Sequence, residues 1–166
     1  SPSLWTIRLG DDADGPRATI EELDPESEPG GDFGVFRSRG DAGNALSGIV
    51  RDRELCARQL GLESGSGSCI GLQLGRCRGA CVGREPVAVH ALRVRMALAR
   101  LKRRDWPFAG RIGILERDWR GVEEIHVFDR WCYQGSMHGG FELAGIERRP
   151  AGFDQDIYRI LLRALE

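Results

Sequence analysis

Four of the five cysteines in this 166-residue sequence lie close together, at Cys56, Cys69, Cys77 and Cys81. They follow the spacing Cys-x12-Cys-x7-Cys-x3-Cys, among glycines and arginines. An odd number of cysteines and no apolar signal segment argue against a disulfide framework, so we expect free thiols in a reducing cytoplasm. In that compartment, clustered cysteines typically bind a metal as thiolates. The sequence therefore predicts a metal centre here.

The spacing bears on which metal the cysteines hold. Structural zinc sites usually come as two tight Cys-x2–4-Cys pairs, and only Cys77 and Cys81 are that close. A [4Fe–4S] cluster takes one thiolate on each iron and accepts wider spacing. The pattern favours a [4Fe–4S] cluster, with zinc as the alternative and unligated or redox-active cysteines as a third reading. Cys132, between two aromatic residues, is expected to be a small buried hydrophobic residue.

Charge is distributed unevenly along the chain. Residues 11–32 hold nine acidic residues and one basic residue, whereas residues 76–111 hold ten basic residues and two acidic ones. A basic face of this kind is typical of a protein that binds a polyanion such as DNA, although a solvated helix face has the same composition. The candidate phosphate-contacting residues are Arg76, Arg78, His90, Arg93, Arg100 and Arg104.

Helical elements that could position these groups follow from apolar periodicity. A helix is predicted from residue 41 to 55 with Asp41 as its N-cap, and a basic helix from 86 to 104. Residues 56–83 lack any period, so we expect a loop that the metal orders. A closing helix is predicted over residues 154–166, with Asp154 as its cap.

The remaining elements are predicted strands. Alternation predicts strands at residues 4–9 and 32–38, separated by an acidic segment over 10–32 that is expected to be mainly loop, with one short strand at ATIEEL, residues 18–23. A β-hairpin is predicted from 110–118 and 123–131, and residues 141–146 add a candidate strand. The fold class is therefore α+β: short strands, a Cys-rich loop ordered by a metal, a central basic helix, a β-hairpin and a C-terminal helix.

Segment boundaries are expected near residues 40 and 105. They divide the chain into an N-terminal strand and acidic segment (1–40), the helix, cysteine loop and basic helix (41–105), and the hairpin with the closing helix (106–166). Together these form one compact fragment, and since the chain opens SPSLW without methionine, we expect a longer parent protein. No stretch is long and apolar enough for a membrane span, so no membrane partner is expected.

The hairpin and the residues before it carry weaker signals. Its carboxylates, together with His126, suggest a magnesium-dependent catalytic site, but a charged hairpin tip is the common alternative; they are Glu116, Asp118, Glu123, Glu124 and Asp129. His138 is expected in a solvent-exposed glycine-rich loop. Trp106 and Phe108 are expected to be core anchors rather than wedges against DNA bases.

The segment over residues 32–135 resembles a known family. DFGVFRS, a helix and then the block from Cys56 to Gly83 resemble the region that follows the GIY-YIG domain in the nuclease subunit of excinuclease ABC and in its shorter Cho-type relatives. In the cysteine block the matching positions are Gln73, Leu74, Arg76, Cys77, Cys81, Val82 and Gly83. Ala80 replaces the family's proline and Leu72 its aromatic residue, and neither change removes a cysteine. LGLE, VHALR, DWPF and HVFDRW are most similar to the variant fused to a DNA polymerase III epsilon-like exonuclease.

The resemblance implies a [4Fe–4S] cluster held by Cys56, Cys69, Cys77 and Cys81 in a DNA endonuclease of nucleotide excision repair. No GIY…YIG pair and no exonuclease motif occurs in this sequence, so we expect a non-catalytic DNA-binding module whose partners are DNA and other repair or replication proteins. The competing hypotheses are a zinc-stabilised module whose basic helix binds an acidic protein, and a chain that cleaves DNA by itself.

Overall fold

A computed structural model describes residues 3–24, 27, 29–138 and 152–166. The chain divides into two compact units, an N-terminal unit (Pro2–Arg103) and a C-terminal unit (Arg104–Glu166). Each unit combines helix with a three-stranded antiparallel sheet. This confirms the predicted α+β class. In the described part of the chain, no helix has the length and apolarity needed to cross a bilayer.

The sheet of the N-terminal unit has the order β2-β1-β3. β1 is Leu4–Asp12, β2 is Gly15–Leu23 and β3 is Asp32–Phe36. The strands predicted at 4–9 and 32–38 are confirmed. The short strand predicted over residues 18–23 is confirmed but is longer than expected, because β2 begins at Gly15 and pairs with β1 along its whole length.

The acidic residues in and after β2 partly hid its alternation of buried and exposed residues from sequence-based prediction. Pro16 and Ala18 are buried and alternate with exposed polar neighbours, which is the pattern of a half-buried strand. The acidic side chains that follow are exposed, so their charges stay hydrated. Gly15, with φ of 105°, closes the hairpin at a backbone conformation that suits glycine.

Helix α1 spans Arg39–Asp52 and begins two residues earlier than predicted. Its N-cap is Ser38 rather than Asp41, because the Ser38 hydroxyl accepts a hydrogen bond from the Asp41 N–H at 3.0 Å. The apolar face of α1 includes Ala42 and Leu46, both buried.

The basic helix is shorter than predicted. α3 spans Val87–Leu98 and ends in a 3-10 turn at Ala99–Leu101, after which Lys102 pairs with Phe33 as an isolated bridge beside β3. The Arg103 N–H donates to the Asp32 carbonyl at 3.2 Å. Pairing with the sheet therefore takes residues 102–103 out of the helix, which propensity alone does not reveal.

One hydrophobic core joins the sheet and helices of the N-terminal unit. Ile7 of β1, Leu46 of α1 and Leu98 of α3 belong to it, together with Leu55 and Leu60 from the segment around the first cysteine. Two short helical turns complete the unit, α2 at Ile70–Gln73 and a 3-10 turn at Ala80–Val82. The cysteine loop is thus anchored to the core at its beginning.

The C-terminal unit contains the predicted hairpin and one strand more. β4 (Ile112–Arg117) and β5 (Glu123–Asp129) confirm the hairpin, and β6 (Cys132–His138) pairs with β5 on the other side. His138 therefore ends a strand instead of lying in a loop. The β5–β6 turn places Arg130 and Trp131 at positive φ without glycine or asparagine, which hid it from sequence reasoning. Residues 141–146 lie outside the described residues.

Aromatic residues and a capped helix pack around this second sheet. α4 spans Gln155–Ala164, and the Asp154 carboxylate accepts hydrogen bonds at its N-terminus as predicted. The Trp131 ring meets Tyr158 and Trp106 edge to face, with centroids 5.0 and 5.2 Å apart. Trp106 is thus a packed anchor, whereas Phe108 touches it but stays exposed.

Candidate metal centre

The four cysteines of the predicted centre come together in space. The sulfur atoms of Cys56, Cys69, Cys77 and Cys81 all lie within 4.8 Å of one another. Cys56 and Cys69 are fully buried, and Ala80 and Leu72 pack against the group. No disulfide joins them. Four reduced thiols facing one point form a set of soft ligands suited to a metal ion or cluster.

Each of the four sulfurs accepts one backbone N–H. The donors to Cys56, Cys69 and Cys77 lie two or three residues further along the chain, and the donor to Cys81 is the N–H of Cys69. The pairs are Gln59 N–H to Cys56 (3.5 Å), Leu72 N–H to Cys69 (3.3 Å), Gly79 N–H to Cys77 (3.3 Å) and Cys69 N–H to Cys81 (3.4 Å). Such donors stabilise negative charge on sulfur, so the backbone is arranged for thiolates.

Glycine is required where the chain turns around Cys81. Gly79 adopts φ of 86°, and a Cβ there would lie 2.8 Å from the Cβ of Arg84. Gly83 also adopts the left-handed region, so the 3-10 turn that carries Cys81 lies between two such glycines. A side chain at residue 79 would move the turn and the sulfur with it.

Arg58 and Glu63 order the loop before Cys69, and sequence reasoning missed both. The Arg58 guanidinium donates to the carbonyls of Ser66 (2.7 Å), Gly67 (2.7 Å) and Ser68 (3.1 Å), and pairs with Glu63 at 2.7 Å. Glu63 in turn accepts from the Ile70 N–H at 3.1 Å. The signal was an arginine two residues after Cys56, before a Gly/Ser-rich loop whose carbonyls need donors.

His90 does not lie on the surface, so its prediction as a phosphate contact is wrong. It is fully buried, and its Nε2 accepts a hydrogen bond from the Cys56 N–H at 2.9 Å. Burial lowers the pKa of His90, which keeps the imidazole neutral and Nε2 free to accept. His90 instead anchors the backbone of the first cysteine to α3.

Arg93 likewise forms its ion pair and hydrogen bonds with residues of the N-terminal unit. Its guanidinium pairs with both oxygens of buried Glu85, at 3.0 and 3.1 Å. It also donates to the carbonyls of Arg53 (2.7 Å) and Glu54 (3.2 Å), just before Cys56. With only 17% of its side chain exposed, Arg93 holds the cysteine segment against α3.

The other predicted basic residues are exposed. Arg78 lies 3.4 Å from Glu54, and Arg104, in the C-terminal unit, lies 3.6 Å from Glu166. Arg76 and Arg100 form no ion pair with any residue in the described part of the chain, and exposed Arg84 shares this property. These guanidinium groups remain available to an external anion.

The thiols differ in acidity. Burial raises the pKa of Cys56 to about 12 and also raises that of Cys69. Burial acts in the same direction on Cys81, but the Cys69 N–H and the neighbouring thiols donate to its sulfur, so its pKa is lowered overall. Without metal Cys56 and Cys69 therefore favour the protonated thiol, and a metal has to displace their protons to bind.

The distances between the four sulfur atoms indicate which metal ion or cluster they can bind. Zinc–sulfur bonds of about 2.3 Å place the sulfurs of a tetrahedral site about 3.8 Å apart, which fits a group contained within 4.8 Å. A [4Fe–4S] cluster bears its thiolates on four separate irons, so the sulfurs would have to move apart to hold it. Four thiolates can bind either a zinc ion or a [4Fe–4S] cluster. The present distances between the four sulfur atoms are those of a site for a single ion.

Each of the two units matches the model of a known protein family. The UvrC/Cho excinuclease middle domain matches residues 4–100, and the excinuclease Cho C-terminal domain matches residues 111–166. "Excinuclease cho" of Shigella flexneri and of Escherichia coli K12 are each 38% identical over 135 residues. The protein of the same name from Salmonella typhi is 37% identical over 135 residues.

The aligned region covers 80% of this chain but only 45% or 46% of each of these relatives. The chain thus spans less than half the length of the curated proteins it matches. No solved structure matches it.

Proposed function

The chain belongs to the UvrC/Cho excinuclease family, and from this premise we propose that it is a non-catalytic, metal-stabilised DNA-binding module of a DNA-repair endonuclease. The observation that carries the proposal is the group of four sulfurs, each with its own backbone N–H donor. A centre of this kind fixes the loop over residues 56–83 and presents exposed arginines beside it. The nuclease chemistry belongs to other parts of the parent protein.

We propose that the four cysteines hold a [4Fe–4S] cluster. The x12-x7-x3 spacing lacks the two tight pairs of zinc sites, and glycines within the block allow the sulfurs to separate. The backbone N–H donors would compensate the negative charge of the cluster's thiolates. When bound, such a cluster supplies structural cross-linking and a redox-active centre, and Cys56, Cys69, Cys77 and Cys81 are the residues that would hold it.

A zinc-stabilised module that binds an acidic protein is the second candidate. The compact sulfur group, within 4.8 Å, favours a single ion. Arg95 of α3 also pairs with an acidic residue of the same chain, Asp11 of β1, at 2.5 Å, which shows that a basic residue of this helix binds a carboxylate. This candidate predicts a colourless zinc protein without appreciable affinity for DNA.

DNA contacts are proposed for the exposed arginines only. Arg76, Arg78 and Arg100 are exposed in the N-terminal unit, and Arg84 joins them because it is exposed and unpaired among the described residues. Arg104 is proposed as a contact from the C-terminal unit. No base-reading element stands out, so these residues would bind phosphates and position the DNA without specifying its sequence.

The parent protein would act in the cytoplasm, where thiols remain reduced. Its association with other repair or replication proteins, and its fusion to an epsilon-like exonuclease domain, stay predictions from the sequence resemblance.

Anaerobic purification with iron, sulfide and zinc analysis tests the metal proposal. We expect about four irons and four sulfides per chain, brown colour, and retention of duplex DNA at low salt. Cys77→Ser should remove most of the iron and the DNA binding, whereas Cys132→Ser, outside the sulfur group, should change neither. One zinc per chain without iron would contradict the cluster and support the zinc-stabilised module. Metal-loaded protein that does not bind duplex DNA would overturn the DNA-binding role.

A further inference from the structure

A row of carboxylates and imidazoles crosses the sheet of the C-terminal unit. Glu116 of β4 lies directly opposite Glu124 of β5, and Glu124 lies opposite His138 of β6. His126 follows Glu124 by two residues on the same strand. Directly opposed residues, and residues two apart along a strand, point to the same face of a sheet. All four side chains therefore lie on one face.

The ligand atoms of Glu116, Glu124 and His126 all lie within 4.8 Å of one another, and His138 approaches Glu124 from the neighbouring strand. His126 Nε2 lies 2.8 Å from Glu116 Oε2 and 4.0 Å from Glu124 Oε2. His138 Nε2 lies 4.0 Å from Glu124 Oε1. Zinc bonds of about 2.0–2.1 Å give a tetrahedral edge of about 3.4 Å, so the atoms of Glu116, Glu124 and His126 would have to move by about an ångström to bind one ion, and His138 by more. Side-chain rotation alone supplies shifts of that size.

The charges on the two faces of the hairpin differ. Arg117 and Glu123, also directly opposite each other, form an ion pair. Glu116 and Glu124 instead place two acidic residues opposite each other, a destabilising arrangement for a cross-strand pair. In the described part of the chain, the ion-pair partners of these two carboxylates are His126 and His138 alone. A divalent cation would neutralise them.

Neighbouring polar groups already orient two of the ligands. The Tyr133 hydroxyl lies 3.4 Å from His126 Nδ1, which leaves Nε2 directed at the carboxylates. A hydrogen bond from Ser136, followed by the influence of His126 and His138, lowers the pKa of Glu124 and keeps it a carboxylate. Metal-binding histidines and carboxylates are characteristically held by such outer contacts.

We propose that Glu116, Glu124 and His126 form a second metal site, for zinc or a similar borderline divalent ion, and that the exposed side chain of His138 rotates to supply the fourth ligand. Two imidazoles and two carboxylates are a typical nitrogen and oxygen ligand set for zinc, in contrast to the thiolate set of the cysteine centre. The ion would cross-link β4, β5 and β6 on one face. Asp118 is not part of the site, because it pairs with Arg120 in the hairpin turn. The proposal is independent of the identity of the thiolate metal.

Zinc titration of the full chain, with its cysteine centre already loaded, tests this site. Calorimetry should show one further zinc per chain. Glu124→Gln and His126→Ala should each weaken that event by at least tenfold while the metal of the cysteine centre stays in place. The matched control is Glu123→Gln, the same chemical change on the opposite face, and it should leave the additional zinc unaffected.

Two outcomes would overturn the proposal. One is wild-type protein that takes up no additional zinc, and the other is an equal loss in Glu123→Gln and Glu124→Gln. Cobalt(II) separates the two sites, because at the proposed site it should give visible bands without thiolate-to-cobalt absorption. That absorption during the extra binding event would place the ion on cysteine and also refute the site. His138→Ala, with a side chain 71% exposed, tests the fourth ligand without threatening the fold.

Discussion

In the metal-free protein, the thiols of the cysteine group differ in their pKa. Cys56 is fully buried, and burial holds its pKa near 12, while the N–H of Cys69 stabilises charge on Cys81. His90 stays neutral and accepts a hydrogen bond from the N–H of Cys56, so the backbone of this buried ligand is fixed by a group without charge. The four sulfur atoms are thus already close enough to bind a metal, whereas Cys56 and Cys69 still carry protons that the metal has to displace.

Metal affinity should therefore depend steeply on pH. With raised pKa values, Cys56 and Cys69 are protonated near neutrality, and at least two protons must leave for thiolates to form. We expect the Kd for Zn²⁺, used as a probe on the metal-free chain, to fall about 100-fold per pH unit between pH 6 and 8. Competition with a calibrated chelator measures this, and an affinity independent of pH would contradict the thiolate assignment.

Linkage also fixes how the metal-free fold responds to alkaline pH. A thiol whose pKa is higher in the folded state than the ordinary value of 9.0 stabilises the fold at lower pH. That contribution is lost as pH rises from about 9 towards about 12, because the unfolded chain then releases the proton more readily.

Among the elements, the loop over residues 56–83 is held by more than its cysteines. Arg58 binds three successive carbonyls on the approach to Cys69, and Arg93 binds two carbonyls just before Cys56. Helix α3 acts as the support, because it carries both His90 and Arg93 towards this segment. The expectation that metal alone orders the loop is therefore incomplete.

Removal of the Arg58 guanidinium should loosen the loop while the cysteines remain. Arg58→Ala leaves three carbonyls without this donor and removes the ion pair of Glu63, which should cost about 2 kcal/mol of unfolding free energy. Hydrogen exchange should show faster exchange at residues 63–70. Arg51→Ala, which removes an exposed arginine whose ion-pair partner in the described part of the chain is its neighbour Asp52, is the control and should change stability by less than about 0.5 kcal/mol. Equal effects of both changes would refute the role of Arg58.

Over the whole molecule, internal pairing reduces the charge available to DNA. Among the basic residues counted between 76 and 111, Arg93, Arg95 and Arg103 are paired with acidic residues. Arg76, Arg84 and Arg100 remain unpaired among the described residues, and Arg78 is only loosely paired. About three or four phosphate contacts from the N-terminal unit is therefore a better expectation than the six groups first predicted.

Salt dependence of duplex DNA binding measures that number. Three or four contacts should weaken binding roughly 40- to 150-fold between 50 and 200 mM salt. Arg76→Ala and Arg100→Ala should each reduce the slope of log K against log salt by about one. Arg95→Ala, on α3 but paired with Asp11, should leave the slope unchanged. Affinity that does not vary with salt, or an equal effect from Arg95→Ala, would exclude the proposed arginines.

Features that depend on residues close together in the chain could be predicted from the sequence. Cysteine spacing identified the four converging sulfurs, and period and capping identified α4, the β4–β5 hairpin and most of α1. Only the tertiary structure decided which polar residues lie inside: His90 and Arg93 follow the helical spacing of a surface face, yet both turn towards the cysteine segment. It also decided where α3 ends and that β6 exists, because pairing with β3 and β5 outweighs local propensity there. Burial and strand pairing join residues distant in the chain, so no local pattern encodes them.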